Sequence, residues 1–299
     1  MGRILPYWLR GSLALFMLCL ITAIICTPVL LLALLKFVFP WSWFREPTTR
    51  LLNILAATWV DLNRLWIIPF RDSPWHVTVD PNLDPASWYL VVCNHQSWSD
   101  IFIVQTILNR RVPQMKFFLK QELIWVPLIG LVWWALDFPF MRRYSRSYLK
   151  KHPDKRGKDF ATTRKACEKF RNQPVCIFNF IEGTRFTVEK HRKQHSPFQH
   201  LLKPRAGGIG YVLSSMGDLL PSLIDITIQY HGNVPGFWDF LTGKTPPAMI
   251  KIAVRPIPEN LRHGDYSSDA QHRADLQKWL NRVWTEKDEA LSELHQAKQ

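Results

Sequence analysis

The side chains best suited to chemistry stand between an apolar strand-like run and an apolar helical run. Asn94, His95 and Asp100 fall between Tyr89–Cys93 and Ile101–Leu108. A histidine can take a proton from a hydroxyl near neutral pH when an acceptor holds its other ring nitrogen. An aspartate five positions later can supply that acceptor if the intervening residues form a turn. The pattern predicts His95 as general base and Asp100 as its orienting carboxylate, with a substrate hydroxyl in the place of a catalytic serine.

A second polar string follows another β-rich run, in Phe178-Asn-Phe-Ile-Glu182-Gly183-Thr184-Arg185. Glycine permits close backbone approach to an anion, and arginine offers a planar fork to phosphate. Taken singly, each string has a purely structural alternative, helix and strand caps in the first and a surface ion pair in the second. Their pairing roughly ninety residues apart favours a shared site.

These strings need a sheet to bring them together. β-rich runs are predicted at 76–79, 88–93, 116–119, 175–180, 223–229 and 250–254, and helices at 100–108, 160–172, 208–215 and 270–295. Strands alternating with helices favour an α/β domain with a mixed, largely parallel sheet flanked by helices. Such sheets place active sites where strands end and helices begin. We assign residues 73–299 to this domain.

Residues 1–72 are predicted to be a membrane-anchoring helical region. Gly11–Leu35 holds 25 uncharged residues, about 37 Å as a helix against a hydrocarbon core of about 30 Å. No small-residue cleavage site follows, so we expect the segment to be retained. Pro28 leaves open one kinked span or a re-entrant pair. Residues 47–70 form a second predicted helix, either packed in a core or lying on the bilayer.

A third apolar stretch, Leu123–Phe140, is not predicted to span a membrane. A crossing there would place the two polar strings on opposite sides of the bilayer. Pro127, Gly130 and the interspersed tryptophans indicate an interfacial or substrate-tunnel element instead.

Composition narrows the function classes. The net charge of +14 is uneven, with twelve Lys/Arg and three acids between Met141 and Arg171. That distribution fits an anionic bilayer at least as well as a nucleic acid, and fourteen tryptophans also favour the membrane interface. The five cysteines show no CxxC spacing, which disfavours disulfides or a zinc site. We expect no metal, no cofactor and no nucleic-acid partner.

Both strings, in this order, resemble the glycerolipid acyltransferase family, which includes the 1-acylglycerol-3-phosphate acyltransferases. The family's first block, Asn-His-four residues-Asp, is matched by Asn94, His95 and Asp100. Its third block, an aromatic residue followed by Glu-Gly-Thr-Arg, is matched by Phe180 and Glu182–Arg185. Its second block ends in an arginine, for which Arg143 is the better match and Arg142 its neighbour. The resemblance covers roughly residues 75 to 230.

The fourth block departs from the family pattern. It often has two prolines in a strand, whereas Leu220–Ile228 has only Pro221. This segment and Leu202–Gly208 look more like the lysocardiolipin-type branch. The departure leaves the reaction class intact and the acceptor open.

The resemblance implies an O-acyltransferase that moves an acyl chain from acyl-CoA or acyl-carrier protein to a lysophospholipid hydroxyl. On that basis His95 and Asp100 are the catalytic pair. The acceptor site then comprises Arg143, Glu182, Gly183, Thr184 and Arg185. The implied location is a membrane, the inner membrane if the protein is bacterial, with the catalytic domain facing the cytoplasm.

Two other classes explain parts of the sequence. A lipid thioesterase or serine hydrolase needs a nucleophile elbow such as GxSxG, which this sequence lacks. A non-catalytic basic protein that binds membrane or nucleic acid accounts for the charge but leaves the two paired strings as coincidence.

Overall fold

The computed structural model describes residues 5–39, 41–141 and 158–296. Within these ranges the α-helices are α1 to α10: Tyr7–Val38, Ser42–Phe70, Ser99–Leu108, Ile129–Ala135, Lys158–Phe170, Val188–Gln194, Gly207–Met216, Phe237–Thr242, Glu259–Arg262 and Ala270–Gln296. The strands are β1 to β8: Trp75–Val79, Tyr89–Cys93, Met115–Phe117, Leu119–Lys120, Phe140–Met141, Cys176–Asn179, Ser222–Tyr230 and Ala248–Pro256.

The main sheet has six strands in the order β1-β8-β7-β2-β6-β3 among the described residues. β7 pairs in parallel with β2, β2 with β6, and β6 with β3. β8 runs antiparallel to β7 and carries β1 as a parallel edge strand. The predicted mixed, largely parallel sheet is confirmed. Its parallel half brings the carboxyl ends of β2, β6 and β7 to one edge, where both polar strings begin.

Each central strand is buried on both faces, as its nearly continuous apolar run predicts. Leu90 and Val92 of β2 face α5, α7 and α10, in a core that includes Trp284. The alternate residues Val91 and Cys93 face α3 on the other side of the sheet. The period-two alternation of strand side chains thus produces two apolar layers around one sheet.

The N-terminal helices form an antiparallel hairpin. The Trp59 indole donates to Thr22 Oγ1 at 3.0 Å, and Val29 packs with Leu52 in one apolar cluster. Pro28 lies inside α1, which is one continuous helix of 32 residues, so the segment does not form a re-entrant pair. By length and composition, α1 and α2 are both long and apolar enough to cross a membrane.

The hairpin also packs along the α/β domain. At one end the buried Arg10 guanidinium donates to Asp72 Oδ1 at 2.7 Å and to the Phe70 carbonyl at 2.8 Å. At the other end Lys36 pairs with Asp137 at 2.9 Å. Both ends of α1 are therefore tied to residues beyond the hairpin or at its exit.

The Leu123–Phe140 stretch forms a 3₁₀ helix at Gln121–Trp125 followed by α4, neither of which is long enough to span a bilayer. Leu136 and Phe138 pack with α1 and α2 in the hairpin's apolar cluster. The expectation of an interfacial or substrate-tunnel element stays a prediction. The helices α4, α6, α8 and α9 were not predicted from the sequence.

Candidate active site

His95 lies just beyond the carboxyl end of β2 and contacts Asp100 on the first turn of α3. His95 Nδ1 lies 2.9 Å from Asp100 Oδ2, as the sequence predicts. The histidine side chain is 14% exposed, whereas the aspartate is fully buried. Because Nδ1 faces a carboxylate, it carries the proton, and Nε2 is the nitrogen that can accept a proton from a substrate. The Phe180 ring stacks on the imidazole with 3.9 Å between ring centroids.

The turn between these residues is shaped around the carboxylate. Asp100 Oδ2 also accepts the backbone N–H groups of Gln96 at 2.7 Å and Ser97 at 2.8 Å. The backbone N–H of Asp100 donates to the Ser97 carbonyl at 3.3 Å. A carboxylate at a helix N-terminus that gathers nearby N–H groups stabilises the turn and is held facing the histidine.

Asn94 fixes the end of β2 to the neighbouring strand. Its amide nitrogen donates to the Ile228 carbonyl and its amide oxygen accepts the Ile228 N–H, each at 2.9 Å. The side chain thereby continues the β2–β7 ladder by one step after the backbone of β2 has turned away. His95 consequently follows a fixed strand end and not a free loop.

Glu182 joins the two polar strings. Its Oε1 accepts the His95 backbone N–H and its Oε2 accepts the Leu202 N–H, both at 3.1 Å. The side chain is 0% exposed, and this burial raises the pKa of Glu182 to about 8, although the two N–H donors act in the opposite direction. The string that follows is held from the other side, because the Phe186 N–H donates to the His95 carbonyl at 2.7 Å.

Gly183, Thr184 and Arg185 form the turn after Glu182. Gly183 has φ of +74°, a left-handed conformation that glycine adopts without strain. Thr184 Oγ1 accepts a hydrogen bond from Lys190 at 2.9 Å. The exposed Arg185 guanidinium lies over the Trp98 ring, 5.3 Å from its centroid. The Arg205 side chain lies against Gly183, so two arginines border this turn.

An apolar cavity of about 520 Å³, open on one side and lined mainly by α1 to α4, lies beside the turn of residues 95–100, called the catalytic turn below. Trp98 and Phe102 of the catalytic turn and α3 belong to its wall, together with Cys26, Ala56 and Val132 from the surrounding helices. Trp98 therefore borders both the apolar cavity and the Arg185 side chain. This arrangement suits a ligand with a long apolar part and an anionic head.

The structure brings His95, Asp100 and residues 182–185 together; Arg143 lies outside the described residues. Tyr230 was missed by the sequence analysis, although its hydroxyl donates to Asp100 Oδ1 at 2.6 Å. A usable signal existed. Tyr230 is a polar side chain at the carboxyl end of β7, which is the edge of the sheet that holds His95.

Comparisons with known proteins agree with this geometry. Residues 76–216 match the model of the acyltransferase family, and this range includes both polar strings. Over the part that carries the candidate site, the chain is similar to the glycerolipid acyltransferases. A solved acyltransferase, the 1-acyl-sn-glycerophosphate (LPA) acyltransferase PlsC from Thermotoga maritima, aligns with a TM-score of 0.54 at 19% identity. That alignment covers 97% of this chain and 98% of the other, and it establishes a shared acyltransferase fold.

Curated glycerolipid acyltransferases give the same family. The 1-acyl-sn-glycerol-3-phosphate acyltransferase gamma of Mus musculus is 28% identical over 222 residues, covering 70% of this chain and 54% of the relative. The delta form of Rattus norvegicus is 25% identical over 264 residues, covering 82% and 63%. The chain thus spans between half and two thirds of the length of these relatives. Neither relative carries a lysocardiolipin name, so that branch assignment stays a prediction.

Proposed function

We propose that this protein transfers an acyl chain from a thioester donor to the free hydroxyl of 1-acylglycerol-3-phosphate or a related lysophospholipid. The observation that carries the proposal is the His95–Asp100 pair, 2.9 Å apart, on a turn whose Trp98 lines an apolar cavity of about 520 Å³. The family match and the names of the curated relatives support the same reaction and this acceptor class.

In the proposed reaction His95 Nε2 takes the proton of the acceptor hydroxyl as the oxygen attacks the thioester carbonyl. The C–S bond then breaks, and the imidazolium returns the proton to the departing thiolate. The products are an ester and a free thiol, so one proton is borrowed and given back. Asp100 holds the imidazole with Nδ1–H toward the carboxylate and stabilises the imidazolium that forms.

The anionic head of the acceptor is assigned to the turn after Glu182. The guanidinium of Arg185 supplies charge and a planar fork, and Arg143 is proposed as its counterpart. Gly183 and Thr184 shape the turn. Glu182 is completely buried with both oxygens occupied, so we assign it to positioning the backbone of His95 and the turn. A largely protonated Glu182 also avoids repelling a phosphate.

The donor is acyl-CoA or acyl-carrier protein. Both are polyanionic, and the chain's net charge of +14 favours their approach. The apolar cavity is the proposed place for an acyl chain, because it is lined mainly by aliphatic and aromatic side chains. We place the protein at a membrane, the inner membrane in a bacterium, with residues 73–299 on the cytoplasmic side where these donors occur.

The deciding experiment uses the purified full chain, one labelled acyl donor and a panel of lysophospholipids, with products identified by mass. Acylated 1-acylglycerol-3-phosphate or a related lysophospholipid is the expected product. His95→Ala should lose a factor of about 10² to 10⁴ in turnover, as removal of a general base does. His76→Ala, an exposed histidine on β1, is the control. Thioester hydrolysis that is unaffected by acceptor would indicate a thioesterase and contradict the proposal.

A further inference from the structure

The carboxylate that faces His95 has a second, buried partner on another strand. Tyr230 ends β7, is 4% exposed, and donates its hydroxyl to Asp100 Oδ1 at 2.6 Å. The three other donors to this carboxylate, the His95 ring and the N–H groups of Gln96 and Ser97, all reach Oδ2. Tyr230 therefore binds Asp100 Oδ1, the carboxylate oxygen that accepts no hydrogen bond from the catalytic turn.

A chain of hydroxyl groups continues from this contact. Ser99 Oγ lies 3.1 Å from the Tyr230 hydroxyl and 2.8 Å from Ser97 Oγ, and Ser97 Oγ donates to the Pro235 carbonyl at 2.5 Å. All of these side chains are buried. Since the chain joins the catalytic turn to the loop before α8, the phenol sits in an ordered polar network within an otherwise apolar layer.

We propose that Tyr230 is a positioning residue that acts through Asp100 on the basicity of His95. The proposal rests on the acyl-transfer function proposed above. A hydrogen bond on Oδ1 prevents rotation of the carboxylate and draws part of its negative charge away from the histidine. The imidazole is thus held in one orientation, and its imidazolium is stabilised less than an unshared carboxylate would stabilise it.

The electrostatic surroundings agree with this role. Burial, together with the adjacent Asp100 charge, raises the pKa of the Tyr230 phenol well above its ordinary value, so the hydroxyl remains a donor at every working pH. Without this hydroxyl, Asp100 would keep three donors, all on the oxygen that faces the histidine. The other ionisable groups in range remain in place in such a variant: Cys93, Glu182 and Lys287.

A packing role is the competing explanation, because the Tyr230 ring belongs to the apolar layer under α3. Tyr230→Phe keeps the ring and removes only the hydroxyl. The matched control is Tyr89→Phe. Tyr89 belongs to the same apolar layer, is also 4% exposed, and its hydroxyl accepts the Asp84 N–H at 2.9 Å, away from the catalytic turn.

The test is an NMR titration of the His95 imidazole in the full chain, run for the wild type and both variants beside acyl-transfer kinetics. In Tyr230→Phe we expect the His95 titration midpoint to rise by about half a unit to one unit. The value of kcat should fall about tenfold, with KM changed less than twofold. Tyr89→Phe should leave the midpoint and kcat as they are.

An unchanged midpoint in Tyr230→Phe, or equal changes in both variants, would overturn the proposal and leave Tyr230 with a packing role. The two readouts also separate the proposals. If the wild type transferred no acyl group while the midpoint still moved, the reaction would be wrong and the coupling of Tyr230 to His95 would stand.

Discussion

Four donors converge on the carboxylate of Asp100, three from the catalytic turn and one from a neighbouring strand. The imidazole and two backbone N–H groups come from the catalytic turn, and the phenol comes from β7. Such a carboxylate is costly to bury alone, and its donors offset that cost only if the turn is closed. The geometry of the base is therefore coupled to the fold of residues 94–100.

Glu182 leads to a pH-dependent prediction. Because its pKa is raised from 4.5 to about 8, the folded protein retains a proton that the unfolded chain loses above pH 4.5. The contribution to stability is thus fully present below pH 4.5 and is lost as pH rises toward about 8, by at most on the order of 5 kcal/mol. Glu182→Gln removes this titration.

The Gln variant should be less stable than the wild type at pH 5, because its amide nitrogen faces a backbone N–H. Its disadvantage should shrink as pH rises to 8.5. Thermal unfolding of both proteins across this range measures the difference in Tm. A difference that does not change with pH would mean that the Glu182 carboxyl is ionised throughout.

Arg185 tests the proposed phosphate site. Arg185→Ala should raise the KM for the acceptor about tenfold and leave the KM for the donor nearly unchanged, since one charge-assisted hydrogen bond is lost at an exposed position. Lysine should rescue only in part, because it lacks the bidentate fork. Arg192→Ala, an exposed cation on α6, is the control. A fall in Tm with both KM values unchanged would assign Arg185 to its contact with Trp98.

At the scale of elements, the local sequence pattern was sufficient to predict the strands that are buried on both faces of the sheet. The runs that became β2, β6 and β7 are buried on both faces, so their apolar sequence identifies them directly. The antiparallel direction of β8 is set by the 231–247 connection, whose helix α8 packs on α1 near Gly11 and Trp238. That contact lies more than two hundred residues away in sequence, beyond the reach of any periodicity.

The ends of helices and the buried contacts of the site could not be predicted from the sequence for the same reason, because they depend on residues that are distant in the chain. α2 begins at Ser42 and not at residue 47, with its first turn held by ring contacts of Phe44 to Phe39 and Trp43. The motif singled out Glu182, but the burial of this side chain between His95 and Leu202 depends on a loop twenty residues further along. Tyr230 was missed because its contact with Asp100 depends on β7 lying next to β2 in the sheet, which the sequence does not reveal.

The cavity walled by α1 to α4 gives a prediction at the element scale. Ala56 of α2 is 9% exposed and lines this cavity. Ala56→Phe adds a ring to the wall, so we expect preference for donors or acceptors to shift toward shorter acyl chains, with little change in turnover for the shortest. The control is Ala57→Phe, one position away on the same helix and outside the residues that line this cavity. Competition assays with mixed chain lengths measure the shift. An unchanged chain-length profile would place the acyl group elsewhere.

For the whole molecule, the α1–α2 hairpin has one apolar face that no other part of the described structure covers. One face of α1 exposes apolar side chains at helical spacing: Leu13, Phe16, Leu20, Ile24, Leu31 and Leu34. A continuous exposed apolar stripe of this kind is characteristic of a surface that contacts lipid. The opposite face of α1 packs on α2 and α8.

A helix that crossed the bilayer would separate its two ends by the hydrocarbon core of about 30 Å. Here α8 of the α/β domain packs on α1 at Gly11 and Ala14, near the Arg10 end. The Lys36 end is held at Asp137, which is also bound to Lys169 of α5. Since one domain contacts both ends, we infer that α1 lies along one leaflet with the α/β domain on the same side. The hairpin then positions the cavity mouth at the lipid surface, where lysophospholipids reside.

This topology can be measured with single cysteines at Trp8 and Phe37, both exposed and near opposite ends of α1, in a chain whose own exposed Cys19 is replaced by serine. Lys278→Cys on α10 serves as the marker for the α/β domain. In sealed vesicles a membrane-impermeant maleimide should modify all three positions from the same side. A cysteine at Leu20, in the middle of the apolar stripe, should react slowly because lipid covers it. Labelling of Trp8→Cys and Phe37→Cys from opposite sides would show that α1 crosses the bilayer, and its contacts with α8 or with Asp137 would then have to break in the membrane.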